Sequence, residues 1–427
     1  MASIRIFQPN KHLRGAIALE RSKSISNRVL IIRELTDRAF PVDRLSNSSD
    51  TQTLLQLLDQ VRTQGAQGGS PLSLDAGAGG TTFRFLTAFL AFHPGEQLLT
   101  GNERFRERPV GPLVDALRQL GARIEYLGRE GFPPLRIGAP DWDAYQPRVS
   151  LSASVSSQFI SALLLVGPSL PEGLLLELED TVVSKPYIDM TLAAMRYFGV
   201  AVQFEDREIK VPAGSYVGRP FEVEADWSAA SYFYAFAALS ESCDLFLEGL
   251  RADSWQGDAA LAKRLEAFGV QTSFEKKGVR LTKSNHSHLP FTEWDFLPTP
   301  DLAQTISVLC AARGIHGLFS GLETLRIKET DRIAALKEEL KKVDVRLIAL
   351  PPRMSLRSGK VYFNQEGQAR WEEQPVFSTY GDHRMAMAFS ILAFLGPVRI
   401  ENPGVVAKSY PGFWKDLEKL GFEILSS

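Results

Sequence analysis

Six times along this chain, a short polar or glycine-rich cluster runs directly into an apolar stretch. Ser22-Lys23-Ser24-Ile25-Ser26-Asn27-Arg28 precedes Val29-Leu30-Ile31-Ile32. Gly79-Gly80-Thr81-Thr82 precedes Phe83-Arg84-Phe85-Leu86, and Ser154-Val155-Ser156-Ser157-Gln158 precedes Phe159-Ile160. Asp226-Trp227-Ser228 opens a run through Ala237, Asp301 stands before Ile306, Val308 and Leu309, and Asp382-His383-Arg384 leads into Met385 to Leu395. Taking Ser24, Thr81, Ser156, Ser228, Leu302 and His383 as markers, the spacings are 57, 75, 72, 74 and 81 residues. Each junction reads as a loop feeding a helix N-terminus, where unpaired N–H groups and the positive dipole end attract anions.

A second helix type alternates with the first. It is amphipathic and usually ends in glycine before a short strand: Val114 to Leu120 then Gly121, Met190 to Phe198 then Gly199, Ala260 to Phe268 then Gly269, Trp414 to Leu420 then Gly421. Glycine there suits a left-handed C-terminal cap. Ala122 to Tyr126 and Val200 to Phe204 then alternate like half-buried strands. Six copies of an α/β unit are therefore expected. They are too divergent for a solenoid, so the reading is a closed arrangement of two sets of three.

With 427 residues, 44% hydrophobic and 23% charged, the chain can bury the core of two or three domains. A net charge of −2 supplies no global field for nucleic acid or anionic membrane. Attraction for anions must come from local clusters. Cys243 and Cys310 both lie in apolar contexts read as helical, and inert buried thiols are expected. No Cys/His spacing suits a structural zinc, and no metal or cofactor is expected. No signal-like or membrane-spanning apolar run is present, so a cytoplasmic chain is expected. Gln64 to Ser70 reads as a loop.

Cations concentrate in a few short segments. Besides Lys23 and Arg28, Arg84 follows the glycine-rich turn, and Arg108 sits in Glu107-Arg108-Pro109, where a planar guanidinium can grip a carboxylate or phosphate with two hydrogen bonds. Lys328-Glu329-Thr330-Asp331-Arg332 is expected to open an amphipathic helix running through Leu340, with Lys328 and Arg332 on one face. Alone, that is an ordinary exposed ion-pair face. A carboxylate held among cations is also how a proton carrier is placed at an anionic substrate. Arg384 and Lys408 complete the set.

Together these motifs resemble the family of 5-enolpyruvylshikimate 3-phosphate synthases. The resemblance spans essentially the whole chain. It rests on Ser22-Lys23-Ser24 with Ser26-Asn27-Arg28, Gly80-Thr81 with Arg84, Glu107-Arg108-Pro109, Val155-Ser156-Ser157-Gln158, Ser184-Lys185-Pro186-Tyr187, Asp301, Lys328 to Arg332, Asp382-His383-Arg384 and Lys408. The resemblance implies a two-domain α/β enolpyruvyl-transferase-like fold, each domain built from three βαβαββ repeats, with the active site in the interdomain cleft. Residues 1–19 plus 227–427 would form one domain and 20–226 the other.

The implied reaction moves the enolpyruvyl group of phosphoenolpyruvate to the 5-hydroxyl of shikimate 3-phosphate through a tetrahedral intermediate. Both substrates are polyanions, and Lys23, Arg28, Arg108, Lys328, Arg332, Arg384 and Lys408 would neutralise them. By resemblance, shikimate 3-phosphate contacts Lys23, Ser24, Arg28, Ser156, Ser157, Gln158, Ser184, Tyr187, Asp301 and Lys328. Phosphoenolpyruvate contacts Lys23, Gly80, Arg108, Gln158, Arg332, Arg384 and Lys408. Asp301 is the candidate base and Glu329 the candidate acid, with Lys23 sharing proton traffic. The herbicide glyphosate would compete for the phosphoenolpyruvate site, where sensitive relatives carry glycine at the position of Gly80. Small-molecule substrates and a monomer are expected, with no nucleic-acid or membrane partner.

Four positions, at three places, depart from the family pattern. Glu20-Arg21 replaces a usual Pro-Gly, Thr324 stands where many relatives carry Asn, and Phe85 stands where many carry Pro. Two other readings compete. The sister transferase acting on UDP-N-acetylglucosamine uses an Asn after the first lysine and a loop cysteine, but here Ser24 follows Lys23 and neither cysteine is in a glycine-rich loop. A non-catalytic anion-binding module is disfavoured by the retained Asp301 and Glu329.

Overall fold

The computed structural model describes residues 2–36, 40–64, 71–152, 156–180, 182–284, 289–351, 353 and 360–426. The loop expected beyond Gln64 and the motif residues Ser154 and Val155 lie outside them. The chain divides into two compact units, Met1–Arg21 with Glu224–Ser427, and Ser22–Val223.

Among the described residues, each unit holds three sheets. Five of the six have four strands and one construction: a parallel pair, then two antiparallel strands. In the second unit, Leu72–Asp75 lies parallel to Gln97–Thr100, which pairs antiparallel with Leu135–Gly138 and through it with Arg123–Tyr126. Arg148–Ser152, Leu174–Glu179, Glu208–Val211 and Gln203–Glu205 repeat that order. The sixth sheet is smaller, a parallel pair of Phe221–Glu222 and Val42–Asp43. In the first unit, Ser3–Phe7 occupies a central place in the sheet of the C-terminal repeat, between Val398–Glu401 and Glu423–Ser426. His12–Ala18 then starts the next sheet, beside Ser242–Glu248.

In four of the four-stranded sheets the helix joining the parallel pair is the one that follows a polar cluster, and Trp227–Leu239, which also follows one, leads into Ser242–Glu248. Trp227–Leu239 is buried along its length except for Leu239, and Gly80–Ala91 except for Thr81. Helices apolar all round belong in the middle of a layered core, not on its surface. The first unit's core wraps Trp227–Leu239. Phe236 meets Phe422 edge-on at 4.9 Å and Phe394 at 5.7 Å, and Phe413 lies against both Tyr232 and Phe233. In the second unit, Lys23–Glu34, Gly80–Ala91 and Ser157–Val166 pack on one another.

The helices after the second strand are short and amphipathic, such as Gly111–Gln119 and Phe413–Lys419. Gly121, Gly199, Gly269 and Gly421 follow them with φ between +82° and +88°. At Gly121 an added methyl would stand 2.5 Å from the Asp141 carbonyl oxygen, so conformation and space both exclude a side chain.

Two local readings are corrected. Cys243 lies in the strand Ser242–Glu248, not a helix; burial alternates through Cys243, Leu245 and Leu247 with the period of a strand. The helix expected from Lys328 begins at Arg332 instead. Asp331 takes the N-cap, its carboxylate accepting from the N–H groups of Ile333 (3.1 Å) and Ala334 (3.0 Å). Capping requires non-helical backbone at the cap, and Lys328 is extended (φ −84°, ψ −151°), so Lys328 and Arg332 do not share a helix face.

Candidate active site

Arg332 brings together several candidate site residues of the first unit. Its side chain is 2% exposed and meets three carboxylates. Nε donates to Asp382 Oδ2 at 2.7 Å and Nη2 to Asp382 Oδ1 at 3.4 Å. Nη1 reaches Asp301 Oδ1 at 3.2 Å, and Nη2 reaches Glu329 Oε2 at 3.0 Å. Burial alone would pull this guanidinium's pKa down, but Asp382, Glu329 and Asp301 outweigh it and hold it above the ordinary value.

The network extends both ways from Arg332. The other oxygen of Asp301 pairs with Arg384 Nη2 at 2.8 Å, and the other oxygen of Glu329 pairs with Lys408 Nζ at 3.0 Å. Lys408, Glu329, Arg332, Asp301 and Arg384 thus alternate in sign along one line, with Asp382 bound to its centre. Three elements converge to build it. Asp382 caps the helix His383–Phe389 through the N–H of Arg384 (2.8 Å) and so fixes the start of that helix beside Arg332. Lys408 ends the 3-10 turn Pro403–Lys408, and Asp301 lies in the turn Pro300–Leu302. Thr324, in the turn Glu323–Ile327, is half-buried.

In the second unit, Ser22 caps the helix Lys23–Glu34, its Oγ accepting from the N–H of Ile25. Lys23 Nζ lies 2.9 Å from Asp50 Oδ2. Arg28 turns inward and is 2% exposed. It donates to Thr191 Oγ1 (2.8 Å), Ser161 Oγ (3.0 Å) and the carbonyls of Ser24 (2.8 Å) and Tyr187 (3.0 Å). No carboxylate faces it among the described residues, and burial lowers its pKa to about 10. Of its five N–H donors, four are spent on neutral acceptors.

Gly80, Arg84, Arg108 and Gln158 come together. Arg84 donates to Gln158 Oε1 at 2.7 Å and lies between the rings of Phe105 and Phe159, 5.5 and 5.1 Å away; Arg108 lies over the same Phe105 at 5.2 Å. A methyl on Gly80 would stand 2.8 Å from Arg84 Nη1 and 3.0 Å from Arg108 Nη2. Gly80 has no left-handed backbone, so it is the space beside two guanidiniums that the glycine preserves. Ser156 caps the helix Ser157–Val166, its Oγ accepting from the N–H of Gln158 (3.3 Å). Ser184, buried and left-handed (φ +54°), precedes the helix Lys185–Tyr197 without capping it through its side chain.

Sequence reasoning left out Asp382, Asp50 and Asp258 as site residues. Asp382 was visible in Asp-His-Arg, but its partner Arg332 lies 50 positions away. Asp258, buried in the turn Gly257–Ala260, faces Asp301, Arg384, Asp226 and Ser228. Neither spacing nor residue type singles it out. Glu20-Arg21 also acquires a structural account. Both residues are buried, the N–H of Asp226 donates to the Glu20 carbonyl at 2.9 Å, and Arg21 bridges to Ala225. Gly249 leaves room for the Arg21 guanidinium, since a methyl there would fall 2.0 Å from Nη1.

Residues 7–417 match the family model of EPSP synthase (3-phosphoshikimate 1-carboxyvinyltransferase). The 3-phosphoshikimate 1-carboxyvinyltransferase of Bacteroides fragilis is 44% identical over 416 residues, covering 96% of each chain. That of Cellvibrio japonicus is 39% identical over 427 residues, covering 95% of this chain and 96% of its own. The solved EPSP synthase of Acinetobacter baumannii shares the fold over 100% of both chains, with a TM-score of 0.77 at 22% identity. The chain belongs to the EPSP synthase family.

Proposed function

We propose that the alternating network of Lys408, Glu329, Arg332, Asp301 and Arg384 is the chemical centre of this enzyme. The activity is that of a 3-phosphoshikimate 1-carboxyvinyltransferase: the carboxyvinyl group of phosphoenolpyruvate passes to the 5-hydroxyl of shikimate 3-phosphate and phosphate is released. This step belongs to the shikimate pathway, which supplies aromatic amino acids. The observation that carries the assignment of roles is that Asp301 and Glu329 each sit between two cations, at 2.8 and 3.2 Å and at 3.0 and 3.0 Å. An anionic substrate can replace either carboxylate as the cations' partner and leave it free to carry a proton.

In this reading Asp301 takes the proton of the 5-hydroxyl as its oxygen bonds to C2 of phosphoenolpyruvate. Glu329 delivers a proton to C3. The resulting tetrahedral intermediate loses a proton from C3 and expels phosphate, restoring the double bond. Lys23, Gly80, Arg108 and Gln158, with Arg332, Arg384 and Lys408, are assigned to phosphoenolpyruvate. Lys23, Ser24, Arg28, Ser156, Ser157, Gln158, Ser184, Tyr187, Asp301 and Lys328 are assigned to shikimate 3-phosphate. Lys23 also shares proton traffic. Fixed cations neutralising two polyanions supply both positioning and stabilisation of developing charge.

Support also comes from the local protein chemistry. Arg28 is held by neutral acceptors alone and retains one donor for a ligand oxygen. No helix among the described residues is long and apolar enough to cross a membrane. Cys243 and Cys310 are buried free thiols, which supports a cytoplasmic location. The proposed oligomeric state is a monomer, to be checked by sedimentation. The direct test of function is phosphate release from phosphoenolpyruvate. It should require shikimate 3-phosphate, and UDP-N-acetylglucosamine should not substitute. Release independent of shikimate 3-phosphate, or none at all, would overturn the reading.

A further inference from the structure

Glu339 stands in the last turn of the helix Arg332–Lys341, whose first residue is the cation at the centre of the network. A carboxylate there faces the negative end of the helix dipole, and only 1% of this residue is exposed. Helix stability alone does not call for it. Three donors satisfy the buried charge. Lys342 Nζ donates to Oε2 at 2.6 Å, the N–H of Ser378 donates to the same oxygen at 3.0 Å, and the Tyr380 hydroxyl donates to Oε1 at 2.7 Å. Lys342 Nζ also donates to the Val376 carbonyl at 2.8 Å. The segment from Val376 to Asp382 is therefore tied along this helix at Lys342, at Glu339 and at Arg332.

Tyr380 is the strained part of that segment. The N–H of Asp382 donates to the Thr379 carbonyl at 2.8 Å and closes a turn whose central residues, Tyr380 and Gly381, have φ of +53° and +70°. Positive φ at both central positions is the pattern of a type I′ turn, which favours Asn, Asp or Gly at the first of them. A left-handed tyrosine is unfavourable there. Its side chain is not needed to fill the core, since the residue is 44% exposed. The bond to Glu339 is what holds it. The turn ends on Asp382, whose carboxylate grips Arg332 through Nε and Nη2. We propose that Tyr380 and Glu339 are positioning residues: the buried carboxylate anchors the strained turn through the phenol, and the turn sets the angle from which Asp382 holds the Arg332 guanidinium for the substrate anion. This rests on the assignment of Arg332 to phosphoenolpyruvate. Without the anchor the turn relaxes toward ordinary backbone and carries Asp382 with it.

The test compares Tyr380→Phe with Glu339→Gln. The first keeps the ring and removes the anchoring bond. The second removes the charge but keeps an acceptor for the Ser378 N–H and an amide N–H that can donate to the Tyr380 oxygen. For Tyr380→Phe, kcat/KM for phosphoenolpyruvate should fall about tenfold, the scale of one hydrogen bond to a charged group. KM for shikimate 3-phosphate should change much less. Glu339→Gln should retain most of kcat/KM for phosphoenolpyruvate, because the turn stays tethered. A bond that serves stability alone would lower the melting temperature of Tyr380→Phe and leave the constants of the folded variant unchanged; that result overturns the proposal. So does a Tyr380→Phe protein that fails to fold, or a Glu339→Gln protein that folds and loses as much as Tyr380→Phe. The natural protein assayed alongside separates the two levels. If it releases no phosphate, the functional reading fails. If it is active and Tyr380→Phe behaves identically, only the positioning role fails.

Discussion

Lys408 Nζ stands 3.0 Å from Glu329 Oε1, and both side chains are largely buried. The lysine is 79 positions downstream of the glutamate. The contact turns an ordinary charge run into a carboxylate clamped from both sides, because Arg332 holds the other oxygen at 3.0 Å. A group held in this way keeps a defined direction, which a proton carrier needs.

Glu329→Gln keeps the shape of that side chain and removes its proton chemistry. Turnover should fall by about 10²–10⁴-fold, the usual contribution of general acid–base catalysis, with KM values changed far less. Steady-state phosphate release by the purified, folded variant decides it. Near-normal turnover would remove Glu329 from the role.

Gly80→Ala should fold normally, since no left-handed backbone is involved and the new methyl meets only the flexible ends of Arg84 and Arg108. Those ends must shift by a few tenths of an ångström. Inhibition by glyphosate should weaken by about tenfold or more, an effect of ~1.4 kcal/mol, with a smaller rise in KM for phosphoenolpyruvate. Inhibition curves at fixed phosphoenolpyruvate compare the two proteins, and identical curves would sink the idea.

Asp258 makes stability depend on pH. Burial raises its pKa to about 8; Asp301 and Asp226 add to the shift, while Arg384 and Ser228 oppose it. Below about pH 4 the group is protonated whether folded or not. Between about 4 and 8 the unfolded chain releases the proton and the folded chain keeps it, so this residue's contribution falls as pH rises. Above about 8 the loss is complete. Asp258→Asn should therefore gain stability over the natural protein at pH 8–9, gain less near pH 5 and show little or no gain near pH 4. Urea melts across that range would reveal it, and a pH-independent difference would count against the assignment.

Arg28→Lys is not a conservative change here. An ammonium has three donors and cannot span Thr191, Ser161 and two carbonyls arranged around a planar fork. Stability should drop by about 2 kcal/mol, the cost of leaving buried acceptors unsatisfied. Shikimate 3-phosphate should also bind more weakly. Equilibrium unfolding and substrate titration measure the two effects separately, and unchanged values in both would refute the account of this buried cation.

The repeat was legible in the chain because it is written in local chemistry. A capping serine or aspartate, an all-apolar helix and a glycine after an amphipathic helix each act over a few residues, so Ser22, Ser156, Asp226 and Gly121 announce their elements without tertiary help. The resemblance likewise needed only the order of short motifs. Where local signals compete, sequence reading failed. At Lys328 to Arg332 the helical spacing of charges suggested one face, but the capping strength of Asp331 started the helix later. What the tertiary structure alone decided is which charges meet. Arg332 with Asp301, Asp382 with Arg332, and Lys408 with Glu329 are pairings across 31, 50 and 79 positions. Burial does the same for Asp258, whose residue type says nothing until the surrounding core removes water and leaves Asp301 and Arg384 as its charged neighbours. Electrostatic strength depends on distance and on the exclusion of water, and neither quantity exists along a sequence until the chain has folded.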